Sequence, residues 1–209
     1  MLKRPFDVVC ALTGLLVMLP LLLVIAILVA ATSRGGILFR QERIGRNGRA
    51  FHLNKFRTMT HDRRAEAGAF SPGEKSRITP VGVVLRKSKL DELPQLWNVL
   101  VGDMSLVGPR PEVACWVAEY PERWKVVHTI RPGITDEASI EFRNEEQILA
   151  ESSDPESCYR DVVLPRKLDL AEKYVRSHTF AGDLLILLRT LFAVLAGGGN
   201  KANTSESPP

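Results

Sequence analysis

Asp91 and Glu92 are adjacent carboxylates lying just ahead of a proline, the most chemically suggestive placement in this 209-residue chain. Pro94 has no N–H to give an i−4 carbonyl, so a helix through Leu93, Leu96, Trp97 and Leu100 is expected to start no earlier than about Asp91. The two acids then fall at its N-terminus, where unpaired N–H groups and partial positive charge favour a phosphate beside them. Two carboxylates there suggest a site for phosphate and a divalent metal, with Asp91 and Glu92 as the metal ligands. The structural alternative is a pair of acids that only complements the helix dipole. Glycoside hydrolysis fits poorly, because its two carboxylates must straddle a sugar about 5–9 Å apart, which neighbours at a helix start do not do.

Cations that could clamp phosphate oxygens are spread along the chain. Lys55 and Arg57 sit in Lys55-Phe-Arg-Thr-Met59, and Arg86 lies five residues before Asp91. Arg110 is enclosed in Gly108-Pro-Arg-Pro111, a turn whose prolines leave few backbone conformations to lose, which suits a preorganised phosphate contact. A salt bridge from Arg110 to an acid such as Glu112 is the plainer alternative. The charge is asymmetric. Residues 1–57 hold nine Lys and Arg against Asp7 and Glu42, a net +7, and residues 136–161 hold nine Asp and Glu against Arg143 and Arg160, a net −7. A basic end belongs near anions, either nucleic acid or anionic lipid. Aromatic residues are sparse in the basic regions and no recognition motif appears, which argues against nucleic acid.

The elements that must position these groups begin with an apolar run. Val8–Ala31 is 24 residues without a charge, against the roughly 20 that cross a bilayer as a straight helix. It is too long for a signal-peptide core. Lys3 and Arg4 before it and Arg34, Arg40 and Arg43 after it make both flanks basic, which one spanning helix cannot reconcile with positive-inside bias. Pro20 removes a helical hydrogen bond in mid-run, so a helix that enters, bends and returns competes with a single-pass anchor. Lys3 and Arg4 are assigned to lipid headgroups on either reading.

Ile37–Arg43 and Ala50–Phe56 bracket a hairpin turn at Asn47-Gly48, and residues 60–76 are polar and read as a mobile loop. Leu164–Val175 has the pattern of an amphipathic helix with Pro165 near its start. Leu184–Ala196 is a 13-residue apolar run, about 20 Å as a helix and so too short to span. It suits an interface or a protein core. The three cysteines, Cys10, Cys115 and Cys158, lack zinc-site spacing and suggest a reducing compartment. With 45% hydrophobic residues the chain has enough for one core and no second large domain.

The run D-E-L-P-Q-L-W-N-V-L-V-G-D-M-S-L-V-G-P-R-P at 91–111 resembles the signature of monotopic phosphoglycosyl transferases, the bacterial polyprenyl-phosphate sugar-1-phosphate transferases. Lys55-Phe-Arg-Thr-Met59 and Arg131-Pro-Gly-Ile-Thr135 match the same family, and the likeness extends over roughly residues 1–195. The resemblance implies an α+β, mainly helical fold. A re-entrant membrane helix at 1–33, bent at Pro20, would precede a cytoplasmic catalytic domain at 34–196 built of interfacial amphipathic helices and a short β-hairpin. A disordered tail at 197–209 would follow.

It further implies transfer of a sugar 1-phosphate from a UDP-sugar to polyprenyl phosphate with Mg²⁺, at the cytoplasmic face of the bacterial inner membrane among phospholipid. Asp91 would be the nucleophile that forms a phosphosugar intermediate, Glu92 a metal ligand or a helper of the acceptor, and Lys55, Arg86, Arg110 and Arg143 the phosphate contacts. Two departures stand out: Leu19-Pro20 where the family often has Ser-Pro, and Asp136-Glu-Ala-Ser-Ile-Glu-Phe142 where many relatives continue Gly-Trp-Ala-Gln-Val-Asn-Gly before the shared Arg143-Asn144. The rival class is a single-pass membrane adaptor whose basic segment docks anionic lipid or an acidic partner. Nothing in the sequence selects the sugar, the pathway or a homo-oligomer.

Overall fold

The computed structural model describes residues 2–33, 35–60 and 77–195. The stretch 61–76, within the expected loop, and the tail at 197–209 lie outside them. The first element is α1 (Lys3–Thr32), a 30-residue helix that contains Pro20 and closes with the Ser33 N–H donating to the Val29 carbonyl. It is the one described helix long and apolar enough to cross a membrane. Its buried positions come in two i,i+4 pairs, Asp7 with Ala11 and Ile25 with Val29. Between the pairs Leu12, Leu16, Val17, Leu19 and Leu23 are exposed.

A hairpin follows, β1 (Leu38–Ile44) with β2 (Ala50–Phe56), antiparallel in the register Leu38↔Phe56 to Ile44↔Ala50. Its turn works because Asn47 (φ 59°) and Gly48 (φ 71°) accept left-handed backbone. Then come α2 (Pro80–Ser88), a 3₁₀ turn over Leu90–Glu92, α3 (Gln95–Val101) and β3 (Ser105–Val107). The remaining elements are α4 (Ala114–Glu119), α5 (Pro121–Val127), β4 (Gly133–Thr135), α6 (Glu137–Glu141), α7 (Glu145–Glu151), α8 (Pro155–Cys158), α9 (Leu164–Ser177) and α10 (Phe180–Leu195). The mainly helical content, the hairpin and α9 agree with the sequence reading. A second pair, β3 parallel to β4 with Ser105↔Gly133 and Val107↔Thr135, was not expected.

Three apolar clusters hold these elements. One is built by α4, α5, α7 and α9 around Trp116, Trp124, Leu164 and Leu168. A second gathers Ala11 of α1, Leu53 of β2, Val99 of α3, Met104, Val107 of β3 and Ile186 of α10. The third joins Ile25 and Val29 of α1 to Phe56 and Leu85. Both ends of α1 therefore pack on the same body. Lys3 Nζ ties the first end down, donating to the Val107 carbonyl at 2.9 Å and pairing with Asp183 at 2.5 Å, while the Tyr174 hydroxyl donates to the other Asp183 oxygen at 2.5 Å. Arg4 donates to the Val99 and Leu100 carbonyls at the C-terminus of α3, where a cation complements the dipole. Lys3 and Arg4, expected at lipid headgroups, thus make these hydrogen bonds within the protein.

Candidate active site

The acidic pair is placed by three local devices. Thr79 caps α2 by accepting the Gly82 N–H, with Pro80 in the first turn. Lys89 in left-handed backbone (φ 58°) ends α2 and turns the chain into the Leu90–Glu92 turn. Pro94 then caps α3, which starts at Gln95, so the acids, expected at the N-terminus of a helix through Leu93, lie instead in the separate turn ahead of it.

The two carboxylates meet opposite environments. Glu92 is saturated: Oε1 accepts from Lys55 Nζ at 3.0 Å and Arg110 Nη2 at 2.5 Å, and Oε2 from Arg110 Nη1 at 3.2 Å. Burial alone would push its carboxyl up, but Arg110 and Lys55 outweigh burial and hold it well below the usual carboxylate range. Asp91 is 7% exposed and its Oδ1 has no hydrogen-bond partner among the described residues. Burial raises its pKa, opposed chiefly by Lys55 and reinforced by the Glu92 charge. Four residues on, Gln95 is 1% exposed and its Nε2 is equally unpartnered. Native proteins pair most such groups, so these two mark candidate ligand contacts.

The cations are held from several directions. Asn98 fixes β2 against α3: its Oδ1 accepts the Asn54 N–H at 3.1 Å and Asn54 Nδ2 at 3.0 Å, and its Nδ2 donates to the His52 carbonyl at 2.8 Å. That seats Lys55, the next residue, at Glu92. Burial lowers the Lys55 pKa while Glu92 opposes. Arg110 leaves β3 through the Gly-Pro-Arg-Pro turn, whose first residue meets Gly133 so closely that a Cβ on Gly133 would stand 2.1 Å from the Gly108 nitrogen. Its Nη1 also donates to the Ile134 carbonyl at 3.4 Å, and Glu92 raises its pKa.

The alternative partner for Arg110 is otherwise engaged. Glu112 takes Arg43 at 2.6 Å and the Tyr159 hydroxyl at 2.6 Å. Arg57 belongs to the scaffold, donating to the Gly36 and Leu38 carbonyls. Arg86 pairs with Glu146 and its charge acts on Asp91. Arg143, between α6 and α7, makes no hydrogen bond or ion pair with a described residue and is not drawn into the Glu92 cluster.

Asn98 and Asp136 were missed by sequence reasoning. Asn98 gave no signal beyond its place inside the 91–111 run. Asp136 stands three residues ahead of Ser139 in the pattern of a helix cap, which could have been read.

No group of three His, Cys, Asp or Glu side chains that could hold a metal occurs among the described residues. With Glu92 saturated by two cations, Asp91 is the carboxylate of the pair that no hydrogen bond or ion pair holds among the described residues. That suits Mg²⁺, which commonly takes one or two carboxylates and completes its shell with substrate phosphates and water.

The described residues thus form a mainly helical body with a long apolar N-terminal helix and a buried Asp91 beside a Lys55–Glu92–Arg110 cluster. The chain belongs to the bacterial sugar transferase family, whose model matches residues 1–197. The likeness to phosphoglycosyl transferases is thereby borne out. It is 32% identical over 95% of its length to the UDP-N-acetylgalactosamine-undecaprenyl-phosphate N-acetylgalactosaminephosphotransferase of Aeromonas hydrophila, spanning 44% of that protein. It is 38% identical over 95% of its length to the uncharacterized sugar transferase EpsL of Bacillus subtilis, spanning 89% of it. To the UDP-glucose:undecaprenyl-phosphate glucose-1-phosphate transferase of Klebsiella pneumoniae it is 34% identical over 91% of its length, spanning 39% of that relative.

Proposed function

We propose that the protein transfers a sugar 1-phosphate from a UDP-sugar to undecaprenyl phosphate, giving undecaprenyl diphosphosugar and UMP, in the assembly of a bacterial polysaccharide. The observation that carries this reading is the buried, unpartnered Asp91 Oδ1 beside cations already fixed by Glu92. The relatives' names supply the acceptor and the donor class, and they divide between N-acetylgalactosamine and glucose.

In the first step the Asp91 carboxylate attacks the β-phosphorus of the donor. A new P–O bond joins Asp91 to the sugar phosphate, the bond from that phosphorus to the bridging oxygen breaks, and its electron pair leaves on UMP. In the second step an oxygen of polyprenyl phosphate attacks the same phosphorus and returns Asp91 to carboxylate. Lys55 and Arg110, aligned in advance on Glu92, stabilise charge on the equatorial oxygens without reorganising. Mg²⁺ at Asp91 and the diphosphate would neutralise the leaving group. Glu92 serves by holding the two cations.

α1 is read as re-entrant. Its two ends pack on one body while its middle is exposed, which favours a helix that dips into one leaflet and keeps the site on the cytoplasmic face of the inner membrane.

The test is UMP release in nanodiscs with Mg²⁺, undecaprenyl phosphate and a panel of UDP-sugars. Asp91→Asn is expected to stay folded and abolish turnover. Near-normal turnover in that variant would remove the nucleophile assignment, and silence of folded wild-type protein across the panel would favour the membrane adaptor.

A further inference from the structure

Asp136-Glu137 follows Thr135 of β4, and Asp136 is 4% exposed. Its two oxygens are divided between two elements. Oδ1 accepts the Ser139 N–H at 2.7 Å and starts α6, and Oδ2 accepts the backbone N–H of Arg110 at 3.2 Å. No cation pairs with it among the described residues, so its side-chain hydrogen bonds both come from main-chain amides.

The Arg110 end of this link is unusual. Prolines on both sides supply no N–H, so the Arg110 amide is the only donor the Pro-Arg-Pro backbone has. Asp136 takes it. The guanidinium is then aimed by the Ile134 carbonyl and Glu92, so the fork that grips Glu92 hangs from a backbone pinned by Asp136. The same carboxylate begins the helix that leads, seven residues later, to Arg143.

We infer that Asp136 is a positioning residue for phosphoryl transfer, setting Arg110 through its backbone amide and the start of α6 with the other oxygen. This rests on the reading of Arg110 as a phosphate contact. Its role differs from a plain helix cap in one testable way. Serine caps helices well, but its single short-armed oxygen cannot hold the Ser139 and Arg110 amides at once.

Asp136→Ser is therefore compared with Asp136→Ala and wild type in nanodiscs, by thermal midpoint, UMP release and hydrogen exchange of the peptide carrying Arg110. The expected result is a midpoint for Asp136→Ser near wild type and above Asp136→Ala. Exchange at Arg110 is faster in both variants, and kcat/KM falls about 10- to 100-fold in both, the scale of a misplaced contact. Wild-type turnover in Asp136→Ser, or unchanged exchange at Arg110, overturns the inference while leaving the transferase reading intact. A folded wild-type enzyme that releases no UMP overturns both.

Discussion

Asp91 and Glu92 share a sequence neighbourhood and part in chemistry. For Glu92 the depressed pKa means stability that is present above the ordinary carboxylate range and lost as pH falls through the folded value. For Asp91 the raised pKa has the opposite sign: the charged form is penalised on folding, and the carboxylate proposed as nucleophile is fully ionised only at higher pH than an ordinary aspartate. Lys55 is the largest influence pulling Asp91 back down. Lys55→Met should therefore move the acid limb of the kcat/KM profile to higher pH as well as lowering the plateau, read from UMP release between pH 5 and 8. A limb that stays in place would separate Lys55 from Asp91. The pair and Arg110 were legible from residue types and the proline. Their division of labour was not, because it depends on which acid the distant Lys55 and Arg110 reach.

At the scale of elements, the helices and the hairpin announced themselves through periodicity, capping residues and Asn-Gly, whereas β3 and β4 did not. Each is three residues long; β3 is buried throughout and β4 at both ends, so there is no long alternation to read. What they leave in sequence is a pair of glycines, Gly108 and Gly133, whose backbones touch. An alanine at Gly133 would put its Cβ 2.1 Å from one backbone atom and 2.4 Å from another, neither of which is a side chain that can swing away. Gly133→Ala should cost about 1–3 kcal/mol or more and lower the thermal midpoint by several degrees. It should also depress turnover, since Arg110 follows directly on that contact. An alanine variant with wild-type midpoint would mean that the strands part without consequence.

The whole molecule is closed by contacts between its first and last described helices. Asp183 is 3% exposed and holds both Lys3 and Tyr174. Removing Asp183 takes the 2.5 Å acceptor from the buried Tyr174 hydroxyl and leaves Lys3, whose side chain is 32% exposed, without its counter-ion. Asp183→Ala should destabilise by roughly 1–3 kcal/mol, measured by denaturation in detergent, with little change in KM for the donor because the site is elsewhere. The topology of α1 has its own check. Cysteines placed at the exposed positions Leu2 and Thr32, in a background lacking Cys10, Cys115 and Cys158, should both react with an impermeant maleimide from the cytoplasmic side of oriented vesicles. Labelling of the two from opposite sides would establish a spanning helix instead. Sequence left this open because length, basic flanks and Pro20 permit either path.

The burial of both ends of α1 has a consequence for how the molecule is made. α1 precedes in the chain the side chains that complete its surroundings: Leu85 and Phe56 for Val29, Val99 and Ile186 for Ala11, Asp183 for Lys3. Domains of soluble proteins can finish folding in the order they are synthesised. Here the surroundings of α1 are complete only once residues as far along the chain as Asp183 and Ile186 have been made. A version trimmed of α1 to improve solubility would lose part of two of its three cores, so expression strategies that treat the helix as a removable tether should yield aggregate rather than a working catalytic body.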